Sequence, residues 1–249
     1  MKKDKNIILL KMLTDAKEVF KLNDLEFWLD CGTLLGIVRD NGFIPWENDI
    51  DLGCWKSIND FGEKKKIKKD FLKLGYNVYL TDYWINIHFD KYPDINLDIN
   101  YYTKENGLAV TPGLALFPAL IDKRAIMINH LIRFLYNKKL YVKRLNLINR
   151  LLIRSCFSII YATFIVLPLN FKSTILNFLI KRRKSISQHK AFIVDLQYFN
   201  NLKKISIFNG QYLIPEKSEE YLQYRYGDSW RTPIREWDTL TQDKTVKNI

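Results

Sequence analysis

Asp49 and Asp51 stand two residues apart in the stretch Glu47-Asn48-Asp49-Ile50-Asp51-Leu52. On a β-strand, residues two apart share a face, so these carboxylates point the same way and Ile50 and Leu52 point the other. Paired carboxylates repel each other and are costly to bury unless water or a cation comes between them. The hard cations Mg²⁺ and Mn²⁺ suit such oxygen ligands. By itself Asp-x-Asp also describes a solvated turn; its strand context and its neighbours favour the metal reading. A third carboxylate is Asp98, which lies between Leu97 and Ile99 in another predicted strand. An acid flanked by core residues is expected to be buried and to have a partner, whereas Asp90 and Asp94 sit at strand ends. Gly32-Thr33 follows one predicted strand and precedes a helix. A glycine there lets backbone N–H groups approach a phosphate, and a helix start favours anions; it also serves as a plain turn. Arg39, on the same short helix, has the fork geometry to clamp a phosphate, or it pairs on the surface with Asp40 or Glu47. His88, alone on a strand, is expected to be structural.

The elements around these residues follow from periodicity. Residues 5–22 carry Ile8, Leu9, Met12, Leu13, Ala16, Val19 and Phe20 at helical spacing, with lysines on the other face. Residues 25–29 and 50–54 read as short strands. Between them, 32–40 is a turn into a short helix, and Asn41-Gly42 is a turn. A helix is expected from a Ser57 cap to residue 73. Residues 76–80, 84–89 and 95–101 read as strands, with clean alternation in the second. Asn106-Gly107 and Thr111-Pro112-Gly113 suggest a loop, residues 121–184 a helical region, Phe208-Asn209-Gly210 a turn and 217–226 a helix. Helix, then strand–helix–strand, then further strands is the order of a mixed α+β core.

Gly-Thr after a strand, Asp-x-Asp on the next strand and a lone Asp on a later one together resemble the nucleotidyltransferase superfamily. The local match is narrower. Gly32-Thr33-Leu34-Leu35-Gly36, Arg39, Gly42-Phe43-Ile44-Pro45-Trp46 and Asp49-Ile50-Asp51 resemble the signature of the LicD/fukutin-related family. Ile214-Pro215, Tyr221-Leu222, Tyr226-Gly227-Asp228, Trp230 and Thr232-Pro233 resemble that family's closing segment. One departure is Asn48, where the family commonly has another acid. The resemblance implies a nucleotidyltransferase-like mixed sheet flanked by helices. It also implies transfer of a phospho-substituent, of phosphocholine or alditol phosphate type, from a CDP-linked donor to a hydroxyl of a glycan or lipid-linked glycan. Asp49, Asp51 and Asp98 would be the catalytic, Mg²⁺- or Mn²⁺-holding set. Gly32, Thr33, Arg39 and Trp46 would bind substrate, and Tyr226, Asp228 and Trp230 would shape the donor pocket or serve as turn and core. A nucleotidyltransferase joining a nucleoside monophosphate to a small acceptor would use the same carboxylates.

The charge pattern divides the chain. The 249 residues carry a net charge of +12, yet residues 123–194 hold 15 of the 39 Lys and Arg and no Asp or Glu. The remainder is slightly acidic, so a uniformly basic nucleic-acid binder is excluded and no nucleic-acid partner is expected. Three domain-like segments are expected: a catalytic core over 1–122, a basic apolar helical insert over 123–194, and a segment over 195–249 that packs back on the core. The apolar run 156–169 is too short to span a bilayer. Interleaved with basic residues, it suits peripheral contact with an anionic membrane, or an ordinary helical subdomain; a non-enzymatic membrane-surface module is the corresponding alternative function. Three cysteines form no disulfide framework or zinc pattern, and the expected location is cytoplasmic, at the inner face of the membrane.

Overall fold

The computed structural model describes residues 2–57, 60–121, 123–137 and 147–248. Residues 58–59, next to the expected Ser57 cap, and the basic pairs Lys138-Lys139 and Lys143-Arg144 lie outside the described residues.

The first helix, α1 (Lys2–Leu22), buries Leu9, Met12, Leu13, Ala16, Val19 and Phe20, one stripe at helical spacing. It ends at Asn23-Asp24, where Asp24 adopts φ 53°. Strand β1 (Trp28–Leu29) leads through the buried N-cap Asp30 into α2 (Cys31–Asp40). A left-handed cap at Asn41 stops α2, with the Gly42 N–H donating back to the Gly36 carbonyl. A Cβ on Gly36 would lie 2.6 Å from the Gly42 carbonyl oxygen, so only glycine admits this close return.

Strand β2 (Asp49–Trp55) pairs in parallel with β5 (Tyr92–Glu105), and β4 (Trp84–Phe89) pairs antiparallel on the other side of β5. Helix α3 (Asp60–Lys73) connects β2 to β3 (Asn77–Leu80), which pairs with β4. Across β2, β5 and β4, the residues Ile50, Leu52, Leu97, Ile99, Ile85 and Ile87 are fully buried. Helices α1 and α3 pack against this part of the sheet. The alternate positions, Asp49, Asp51, Asn96, Asp98 and Asn86, therefore share the opposite face.

Beyond Asn106-Gly107, both at positive φ, the chain turns into β6 (Leu108–Ile121). The expected loop at Thr111-Pro112-Gly113 lies inside this strand instead. The pairing register shifts between Pro112 and Ala115, the kind of irregularity that admits proline in a sheet. Helices α4 (Lys123–Asn137), α5 (Leu147–Val166) and α6 (Leu169–Ser185) follow. The acid-free run is thus helical only to Ser185. Its last residues form β7 (Ser187–Asp195), which pairs with β6 and with β10 (Val246–Asn248) and completes an eight-stranded mixed sheet. The hairpin of β8 (Leu202–Ile207) and β9 (Gly210–Pro215) turns at Phe208-Asn209, both at positive φ, and packs against β1. Helix α7 (Ser218–Tyr226) packs on α2, and a short α8 (Thr239–Gln242) precedes β10. Cys31, Cys54 and Cys156 are free.

Candidate active site

The parallel register sets Asp51 beside Asp98, and Asp49 beside Asn96. Oxygens of Asp49, Asp51 and Asp98 all lie within 4.8 Å of one another. Two ligands on opposite sides of one Mg²⁺ are about 4.2 Å apart, so a hard divalent ion fits the three with small side-chain adjustments. The carboxylate-only donor set is what such an ion takes.

Local structure holds Asp51 in place. The Gly32 N–H donates to Asp51 Oδ2 at 3.2 Å, and the Asp51 N–H donates to Thr33 Oγ1 at 2.8 Å. Gly32 thus braces the Asp51 carboxylate at the positive end of α2, and Thr33 braces its backbone. Asn86 Nδ2 donates to Asp98 Oδ1 at 2.7 Å, and His88 Nδ1 lies 3.3 Å from Asn86 Oδ1. His88 therefore joins the polar row through Asn86. A fourth acid closes in from the loop after α2: a Cβ on Gly32 would lie 2.3 Å from Glu47 Oε2.

All four carboxyls are pushed upward. Burial raises Asp51 well above its ordinary value, and the charges of Asp49, Asp98, Glu47 and Asp30 add to it. Burial also raises Asp49. Asp98 is held at about 7 by burial and the nearby Asp49, against hydrogen bonds from Asn86 and Trp84. Glu47 reaches about 7 through burial and Asp49, with Arg39 and Lys5 acting against them. Such a group favours either protons or a cation that takes their place.

These residues line a cavity of about 460 Å³, the size of a small-ligand site. Cys31, Gly32, Leu35, Arg39, Glu47, Asp49, Asp51, Asp98 and Asn100 contribute the acidic side. Tyr83, Trp84, Phe192, Tyr226, Trp230 and Trp237 contribute aromatic surface. Arg39 reaches the cavity with its guanidinium engaged by Asp40, at 2.8 Å and 2.7 Å. Trp46 does not line it and packs half-buried against the core. Asp228 is exposed and accepts from Gln223 Nε2 at 2.9 Å.

The site wall is locked from the C-terminal side. Buried Asp30 accepts from the Cys31 N–H at 2.8 Å, from Tyr102 Oη at 2.6 Å and from Tyr221 Oη at 2.8 Å. Arg225 Nη1 donates to Tyr221 Oη at 2.8 Å, and its Nη2 lies 2.7 Å from Asp243 Oδ2. Sequence reasoning missed Arg225, Asp243, Phe192 and Trp237, which carry no local pattern. Asn100 was within reach, because Asn96, Asp98 and Asn100 alternate on one strand face.

Residues 24–124 match the LicD/FKTN/FKRP nucleotidyltransferase domain. The matched span contains Asp49, Asp51 and Asp98 together with Gly32, Thr33, Arg39 and Trp46; Tyr226, Asp228 and Trp230 lie outside it. An uncharacterized protein of Rickettsia prowazekii is 35% identical over 74 residues, 30% of this chain and 27% of that protein. An uncharacterized protein of Rickettsia typhi is 34% identical over 74 residues, 30% of this chain and 23% of that one. The match thus spans about a quarter of the length of these curated relatives. Among solved structures, the crystal structure of ANT(2'')-Ia in complex with adenylyl-2''-tobramycin aligns at 12% identity and TM-score 0.31, over 70% of this chain and 96% of that one. The solution structure of ANT(2'')-Ia aligns at 12% identity and TM-score 0.32, over 72% of this chain and 95% of that one. The matched span carries the acidic cluster, which is suited to hold a metal.

Proposed function

We infer that this protein transfers a phospho-substituent from a CDP-linked donor to a glycan hydroxyl, with a divalent cation held by Asp49, Asp51 and Asp98. The observation that carries this reading is the convergence of three half-buried carboxylates on adjacent strands, at one side of an aromatic cavity, inside a LicD-type domain. Phosphoryl transfer consists mostly of positioning and charge stabilisation. Mg²⁺ or Mn²⁺, when bound, supplies neutralisation of phosphate charge and of the departing nucleotide.

The chain's own residues do the rest. Gly32 fixes the Asp51 carboxylate and Thr33 the Asp51 backbone through the two hydrogen bonds described. Asn86 orients Asp98, which completes the metal site or accepts the proton from an attacking hydroxyl. Trp84, Tyr226, Trp230 and Trp237 offer flat surfaces for a pyrimidine ring or a quaternary ammonium group. Arg39 and Arg225 add positive charge to an otherwise acidic wall.

A second reading is favoured by the domain match itself, whose description is a nucleotidyltransferase domain. The same carboxylates would then serve attack on the α-phosphate of a nucleoside triphosphate. Product analysis separates the two. Incubation with CDP-choline, CDP-ribitol or CDP-glycerol, glycan acceptor and Mg²⁺ should release CMP. Pyrophosphate released from a triphosphate, with no CMP from any CDP-linked donor, would assign the second reading.

A further inference from the structure

Helix α5 and the start of α6 present large apolar side chains that stay exposed among the described residues. Residues 155–171 contain no charged side chain. Within α5 one stripe faces inward: Phe157 packs on Phe134 with ring centroids 5.6 Å apart, and Phe164 on Phe61 at 5.5 Å. The opposite surface carries large apolar side chains among small polar ones such as Ser158 and Thr163. Ile159 is 68% exposed, Val166 80%, Phe171 62% and Phe178 67%. Phe171, Ile175 and Phe178 follow the i, i+4, i+7 spacing of one helix face. Lys181 and Arg182 are exposed just beyond Phe178. The corner at Leu167-Pro168 is tied by Lys172, whose Nζ donates to the Ile165 carbonyl at 2.7 Å.

A soluble helix ordinarily sets polar residues opposite its buried stripe, and an apolar surface of this kind marks an interaction site. Its charge environment selects the partner. The whole run 123–194 lacks acids and carries 15 basic residues, so nothing in it repels an anionic surface. No helix among the described residues is long and apolar enough to cross a membrane, which leaves shallow insertion.

We propose that the α5–α6 corner docks on an anionic lipid bilayer, with Ile159, Val166, Phe171 and Phe178 entering the headgroup–acyl boundary while Lys181 and Arg182 meet lipid phosphates. Apolar burial supplies the insertion, and the basic residues add attraction that salt weakens. This goes beyond the transferase reading and is independent of it.

Vesicle flotation of the full chain tests the proposal, using phosphatidylcholine vesicles with and without phosphatidylglycerol. The chain should float with the anionic vesicles at low salt, and Asp51→Asn should float equally well whatever its activity. Phe171→Ser with Phe178→Ser should bind at least about tenfold more weakly. Both positions are exposed, so circular dichroism and melting temperature should be unchanged. Lys181→Glu with Arg182→Glu should lose the preference for phosphatidylglycerol. Three results would overturn the proposal: no flotation at low salt, flotation indifferent to both double variants, or a concentration-dependent dimer abolished by the phenylalanine variant, which would give the surface to a second copy of the chain.

Discussion

At the start of α2, buried Asp30 accepts from a backbone N–H and two tyrosine hydroxyls, and Arg225 Nη1 lies 3.7 Å from its Oδ1. Asp51 sits one strand away and receives a single N–H on its carboxylate, while Asp49, Asp98 and Glu47 press on it. The same contrast recurs under α3. There Lys64 Nζ lies 2.8 Å from Asp60, and Arg183 Nη2 lies 2.8 Å from Asp82. Burial pushes the Asp82 carboxyl up, but the Arg183 guanidinium overcomes this and holds it below its ordinary value. Where a carboxylate belongs to the architecture, the fold supplies its counter-charge. At the cavity Asp49, Asp51, Asp98 and Glu47 crowd together instead, an arrangement suited to hold a metal ion.

The comparison breaks most sharply at Asp51. Replacing it with Asn should lower transfer by about a thousandfold or more. The melting temperature of the metal-free protein should hold or rise, because a repelling charge has gone. A large loss of stability in thermal unfolding would place Asp51 with the structural acids instead.

Arg225→Met should behave in the opposite way. It leaves Asp30 and Asp243 buried without their cation, a loss of about 3–5 kcal/mol. For a chain of this size that is roughly a 10 °C fall in melting temperature, measurable by calorimetry.

The two kinds of acid also differ in sign with pH. Asp98 and Glu47 are held at about 7. Between about pH 4 and pH 7 the metal-free folded state therefore binds more protons than the unfolded chain, and stability falls as pH rises through that window. Asp82, with its lowered value, contributes stability that is present above the ordinary carboxylate range and is lost as pH falls through its folded value. The metal-free protein should accordingly melt highest at mildly acidic pH. Mg²⁺ should raise the melting temperature more at pH 8 than at pH 6, since it competes with protons for the same oxygens. An equal Mg²⁺ shift at both values would contradict the assignment of these carboxyls to the metal.

The smallest effect belongs at the surface. Arg231 and Glu219 form an ion pair with side chains 61% and 66% exposed. Arg231→Ala should shift the melting temperature by less than a degree or two.

The half of the fold that positions the carboxylates was legible in the sequence because its signals are local. The helical stripe of α1, the alternation in β4 and the Asp-x-Asp of β2 each depend on residues a few places apart. The second half of the sheet was not legible. Pro112 and Gly113 signal a break, yet β6 runs through them at a register shift. β7 hides at the end of a basic helical run, and its partners β6 and β10 are distant in sequence. The site divides in the same way. Asp49, Asp51 and Asp98 could be picked out by spacing and by flanking core residues. Arg225 and Asp243 come from separate elements, and only their meeting with Asp30 gives them a role.

The bond from Tyr221 Oη to Asp30 joins residues 191 apart in the chain. Contacts of such separation form late, because the intervening chain must be ordered first. During synthesis the carboxylate-bearing strands emerge long before Tyr221, Arg225 and Asp243 can secure the start of α2. A nascent chain thus holds its acidic residues without a finished cavity, and the cavity is complete only once α7 and Asp243 are in place.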